Sequence, residues 1–84
     1  MTIKADIRQY IVENWLSGDA RGFADDTDLQ QNGILDSFTT LALVGFLEDR
    51  YGIQLEPGDI NTDTFRSVET LERMVQTKVG QEKV

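Results

Sequence analysis

Ile3, Ile7, Ile11 and Trp15 recur at every fourth position with Tyr10 and Val12 beside them, the spacing of an amphipathic helix with one apolar face. Thr2 offers a cap for the first turn. Ser17-Gly18 offers a stop, because glycine tolerates the left-handed conformation that closes helices. From Asp19 to Asp36 the period disappears and Asp, Gly and Gln accumulate, which predicts a long surface loop pinned by Phe23, Leu29 and Ile34. Loops of that length in small domains are usually functional or disordered segments rather than simple connectors.

A second helix is predicted over Ser37 to Tyr51, with Gly52 as its terminator. Leu43, Val44, Leu47 and Tyr51, with Thr40 among them, make its core-facing stripe. Phe38, Leu41, Ala42 and Gly45 form a second apolar stripe on roughly the opposite side, bordered by Glu48 and Asp49. In a large protein such a helix is simply buried all round. This chain is too short to wrap it, so the second stripe is expected to stay partly open for partner proteins, with Ala42 and Gly45 permitting close approach. Glycine inside a helix costs about 1 kcal/mol relative to alanine, so something other than helix stability favours Gly45.

Ile53 to Glu56 reads as an extended connector, and Asp59 to Phe65 as one short helical turn anchored by Ile60 and Phe65. Ser67 is placed as an N-cap with Glu69 in the first turn of a last helix, where its charge suits the helix dipole. Val68, Leu71, Val75 and Val79, helped by Met74, mark the inward face of that helix; Gly80 is expected to end it, and Gln81 to Val84 to form a polar tail. Trp15, Phe23, Leu43 and Leu47 are assigned to the core. The expected fold is all-α: a small four-helix bundle of three main helices and one short helix, with a long loop between helices 1 and 2. It forms a single domain over residues 1–84, with its core at about 3–79.

Composition narrows the chemistry. The chain has 84 residues, 39% of them hydrophobic, and its eight basic against fifteen acidic side chains give a formal charge of −7. With no Cys and no His, disulfides, thiolate metal sites, cysteine nucleophiles and imidazole bases are all excluded. No nucleophile and base pair can be assembled from what remains, so the chain is not expected to be an enzyme. The acidity disfavours nucleic acid and favours basic patches on protein partners. No segment reads as a targeting signal or a membrane span, and a cytoplasmic monomer is expected. Asp26, Asp28, Asn32 and Gly33 share one loop, but a hand-type calcium loop with Gly33 at its sixth position would have Gln30 at the third and Thr39 at the twelfth. The pattern fails, and no metal site is assigned.

The junction of loop and second helix reads Asn32-Gly33-Ile34-Leu35-Asp36-Ser37-Phe38. Asn-Gly signals a turn, Asp36 is an N-cap candidate, and Ser37 falls in the first turn at the positive end of the helix, where a phosphate ester is favoured. From these two residues alone a plain cap is the simpler reading. Over nearly the whole chain, however, Gly33-Ile34-Leu35-Asp36-Ser37-Phe38, the helix end Leu47-Glu48-Asp49-Arg50-Tyr51-Gly52 and the closing segment Phe65-Arg66-Ser67-Val68-Glu69-Thr70-Leu71 resemble the stand-alone acyl carrier and peptidyl carrier proteins. The resemblance implies that Ser37 carries a 4′-phosphopantetheine arm derived from coenzyme A, with Asp36 holding the helix start and contacting the modifying transferase. It also implies that Phe38, Leu41, Ala42, Glu48 and Asp49 form the docking face. The implied partners are a phosphopantetheinyl transferase, an acyl- or aminoacyl-loading ligase and downstream acyl-using enzymes.

Two departures bear on the cargo. Thr39 and Ala42 stand where fatty-acid carriers are often acidic, and Ile34 and Leu35 together separate Gly33 from Asp36 where those carriers usually have one residue. The longer form looks more like discrete carriers of specialised pathways, D-alanyl carriers among them, and a fatty acyl chain, an amino acid or a polyketide unit all stay open. The alternative from another class is an unmodified acidic helical adaptor that binds partners through the same stripe of helix 2.

Overall fold

Thr2 opens the first helix through its hydroxyl, which accepts the Ala5 N–H at 3.0 Å, and α1 runs Ile3–Trp15. The structure, a computed structural model, describes residues 2–82; Lys83 and Val84 of the expected tail lie outside the described residues. Ser17 and Gly18 close α1 as expected, with φ of 53° and 79°, and the Gly18 N–H donates to the Val12 carbonyl at 2.9 Å. Helix α2 spans Ser37–Tyr51 and ends on Gly52, whose φ of 63° is the left-handed cap glycine adopts freely. Helix α3 spans Val68–Glu82. Its start is a reciprocal pair, in which the Thr70 N–H donates to Ser67 Oγ at 3.3 Å and the Ser67 N–H donates to Thr70 Oγ1 at 3.0 Å.

Two expected boundaries are corrected. Gly80 does not end α3, which continues to Glu82: its φ is not positive, and an interior glycine weakens a helix by about 1 kcal/mol without breaking it. The expected short helix over Asp59 to Phe65 is absent. In its place stand a 3₁₀ turn at Pro57–Asp59 and one further turn in which the Phe65 N–H donates to the Asn61 carbonyl at 3.1 Å. Side chains here take up the backbone groups a helix would pair: Asn61 Oδ1 accepts the Asp63 and Thr64 N–H groups at 3.0 and 2.9 Å, and the Thr64 hydroxyl donates to the Asp59 carbonyl. The described residues thus form three helices and a turn rather than a four-helix bundle, and none of these helices is long and apolar enough to cross a membrane.

Ile7 and Ile11 of α1, Leu43 and Leu47 of α2, and Val68, Leu71 and Val75 of α3 are fully buried, each contributing about 1.5–3 kcal/mol of hydrophobic stabilisation. The long loop adds Phe23, Leu29 and Leu35, while Ile34, the anchor expected from sequence, is only half-buried. Ile53 and Leu55 point inward with exposed Gln54 between them, as an extended connector requires. Trp15 is half-buried rather than central: it meets Tyr10 edge-on at 5.4 Å at the margin of the core.

Polar contacts fix the loop and the helix ends. Arg8 of α1 donates to Asp25 Oδ1 at 3.0 Å and to the Phe23 carbonyl at 2.9 Å, and its guanidinium lies 4.7 Å from the centre of the Phe23 ring. The Leu29 N–H donates to the Arg66 carbonyl at 2.7 Å, and the Glu69 N–H to the Asp25 carbonyl at 3.0 Å. Buried Asp6 joins α1 to the end of α2 by accepting from Arg50 at 3.3 Å and from the Tyr51 hydroxyl at 3.1 Å. The loop is therefore a fastened segment that delivers Asp36 to a defined place.

Candidate functional site

Gly33 turns the chain with φ of 73°, and the next two N–H groups, of Ile34 and Leu35, both donate to the Leu29 carbonyl at 2.9 Å. Leu35 then enters the core and the backbone re-emerges at Asp36. Asp36 Oδ1 accepts the Phe38 and Thr39 N–H groups, each at 2.8 Å, and the Asp36 N–H donates back to Thr39 Oγ1 at 2.8 Å. The Thr39 hydroxyl can in turn donate to the Ile34 carbonyl at 3.0 Å. The Thr39 N–H first, then the Phe38 N–H and the Thr39 hydroxyl, hold the Asp36 carboxyl below its ordinary value, so it stays ionised.

Ser37 is the first residue of α2 and is exposed, and its hydroxyl has no hydrogen-bond partner among the described residues. Asp36 faces the backbone N–H groups, so it does not activate the Ser37 hydroxyl. The arrangement presents an accessible alcohol beside the positive end of a helix, where an ester-linked anion is favoured. Beside Ser37 opens a groove of about 620 Å³, lined by Gln30, Leu35, Thr40, Leu41, Ile60, Thr62 and Phe65 among others. Thr40, expected on the core stripe, and Ile60 and Phe65, expected as anchors, all line this groove. The signal for Thr40 was its position three residues after Ser37, one turn along the same side of α2.

The second stripe of α2 is open. Phe38 and Leu41 are 82% and 67% exposed, and Ala42, Gly45 and Asp49 lie at the surface on the same side. A Cβ added at Gly45 would meet nothing within 4 Å, so the fold itself does not require glycine there. Glu48, two turns after Leu41, borders the same stripe. It is half-buried, and its Oε2 accepts the Leu55 N–H at 2.8 Å, tying α2 to the connector behind it. In the long loop, Asp28 Oδ1 accepts the Gln30 and Gln31 N–H groups at 3.0 and 2.9 Å.

Comparison with known proteins gives two relatives that span most of the chain. A 4-methyl-3-hydroxyanthranilic acid carrier protein of Streptomyces anulatus is 33% identical over 69 residues, 82% of this chain and 83% of the relative. A D-alanyl carrier protein of Leuconostoc mesenteroides is 30% identical over 77 residues, 89% of this chain and 99% of the relative. No protein-family model matches the chain.

Proposed function

We propose a covalent carrier role for this chain, which belongs to the family of stand-alone acyl and peptidyl carrier proteins. Ser37 accepts a 4′-phosphopantetheine group from coenzyme A: its hydroxyl gives up a proton, its oxygen forms the new bond to phosphorus, and the nucleotide part of coenzyme A leaves. When bound, that group supplies the thiol that a chain without cysteine lacks. The observation carrying this reading is the exposed Ser37 hydroxyl, without a partner among the described residues, at the capped start of α2. The residues around it fit the group, since the hydroxyl is accessible, the helix end favours a phosphate, and a groove opens alongside.

The remaining roles follow from this geometry. Asp36, held ionised, fixes the first turn and offers a carboxylate to the modifying phosphopantetheinyl transferase. Phe38, Leu41, Ala42 and Asp49 dock partner enzymes: the transferase, an acyl- or aminoacyl-loading ligase and the downstream enzymes that use the acyl group. Glu48 borders that face as an acidic partner contact while one of its oxygens holds the connector at the Leu55 N–H. Cytoplasmic biosynthesis of fatty-acid-like, polyketide or nonribosomal-peptide-like products is the setting of such a chain. The relatives' names, for a D-alanyl group and a hydroxyanthranilic acid, support the carriage of an acid.

An unmodified adaptor accounts for exposed Phe38 and Leu41 but gives Ser37 no task. Ser37→Ala separates the two readings: the carrier loses all covalent loading by transferase and coenzyme A, whereas an adaptor gains no mass in either form and keeps its partner binding in both.

A further inference from the structure

We infer, resting on the carrier reading above, that Thr39 is a positioning residue for the transfer to Ser37: its hydroxyl locks the loop-to-helix junction that sets where the acceptor oxygen stands. The Ser37 hydroxyl makes no hydrogen bond to the described residues, and because Ser37 is the first residue of α2 its N–H has no acceptor within the helix. Neither of these donors holds the residue in place. Its position is decided by the residues on either side.

Asp36, just before it, is tied through its backbone and its carboxylate. The Asp36 carbonyl accepts the Thr40 N–H at 3.0 Å, and Oδ1 accepts the Phe38 and Thr39 N–H groups at 2.8 Å each, all from inside α2. The Asp36 N–H donates to Thr39 Oγ1 at 2.8 Å. The hydroxyl proton of Thr39 has two acceptors in reach, the Ile34 carbonyl at 3.0 Å and Asp36 Oδ1 at 3.1 Å. Oδ1 already takes two N–H groups, so the carbonyl receives it. One hydroxyl thereby links Ile34, Asp36 and the first turn of α2, closing a ring of hydrogen bonds that spans Ser37.

The loop that approaches this ring is itself anchored. The Ile34 and Leu35 N–H groups both bond to the Leu29 carbonyl at 2.9 Å, and the Leu29 N–H to the Arg66 carbonyl at 2.7 Å. Thr39 couples that anchored loop to the helix. It is half-buried with its oxygen turned to the backbone, whereas Phe38 and Leu41 on the outer stripe are largely exposed. Removing the hydroxyl therefore leaves the outer stripe in place and loosens the acceptor, and a misplacement of about 1 Å can cost a reaction up to about 100-fold.

The test is steady-state transfer from coenzyme A by a broad-specificity phosphopantetheinyl transferase, with the full chain as wild type, Thr39→Val and Thr39→Ser, each as varied substrate well below its melting midpoint. Thr39→Val keeps the branched shape and loses the hydroxyl, so kcat should fall about tenfold with KM within about twofold of wild type. Thr39→Ser keeps the hydroxyl and should hold kcat within about twofold of wild type. Unchanged kcat for folded Thr39→Val makes Thr39 a plain cap and overturns the inference, as does a raised KM at unchanged kcat, or a Thr39→Ser form as slow as Thr39→Val. Amide exchange in the wild type gives a second reading that needs no variant to fold. The Asp36 N–H should exchange at least about tenfold more slowly than the Ser37 N–H, and equal rates overturn the inference. No mass gain in the wild type overturns the carrier reading, and the inference falls with it.

Discussion

Truncating Phe38 separates docking from folding. Its side chain is 82% exposed, so Phe38→Ala removes little packing from the folded chain, and surface truncations of this kind shift stability by at most about 0.5 kcal/mol. In a domain of this size that is about 2–4 °C in melting temperature. In a complex the same ring becomes covered. A phenylalanine presents roughly 200 Å²; if half of its exposed part is buried against a partner, about 80 Å² leaves water, which at about 25 cal/mol per Å² is about 2 kcal/mol, or about 30-fold in affinity. The assay is kcat/KM of the phosphopantetheinyl transferase and of the loading ligase with the carrier as varied substrate, run beside thermal melting of both forms. A large drop in melting temperature, or unchanged kcat/KM for both enzymes, refutes the assignment of Phe38 to a docking face.

Gly45→Ala should stabilise the fold by about 0.4–1 kcal/mol, because the new methyl meets open space and the helix gains propensity, yet it should lower ligase kcat/KM if partners approach closely there. Both effects are read from the same melting and kinetic series. Asp6→Ala leaves the Tyr51 hydroxyl and Arg50 without their partner and should cost about 1–3 kcal/mol in chemical denaturation, with covalent loading of the folded fraction unchanged. Burial, and then the bond to Asp6, push the Tyr51 phenol up to about 12 from an ordinary 10.0. A raised pKa stabilises the fold below the unfolded value and that contribution is lost as pH rises through the folded one, so the stability gap between wild type and Tyr51→Phe should shrink between pH 10 and 12.

The helices were legible where one physical signal acted alone. The four-residue period of Ile3, Ile7 and Ile11 needs only local geometry, and Asp36 and Gly52 mark α2 because capping is decided within a few residues. Asp36 and Ser37 by themselves read as a plain cap, and Ser37 stands out only through the resemblance carried by the longer stretch Gly33-Ile34-Leu35-Asp36-Ser37-Phe38 and the rest of the chain. What escaped the sequence was set by contacts across the fold. Asp6 is buried through partners near the end of α2, and Glu48 accepts a backbone N–H from beyond the Gly52 reversal. Leu35 rather than Ile34 enters the core because loop residues carry no period to rank them. The turn after Pro57 failed as a helix because Asn61 and Thr64 compete for its backbone groups.

Intact mass of the chain after incubation with coenzyme A, magnesium and a broad-specificity phosphopantetheinyl transferase, beside Ser37→Ala treated identically, tests the carrier role most directly. A gain of one phosphopantetheine in the wild type and none in the variant is expected if Ser37 is the attachment site. No gain in a folded, initially unmodified wild type, or an equal gain in Ser37→Ala, contradicts it.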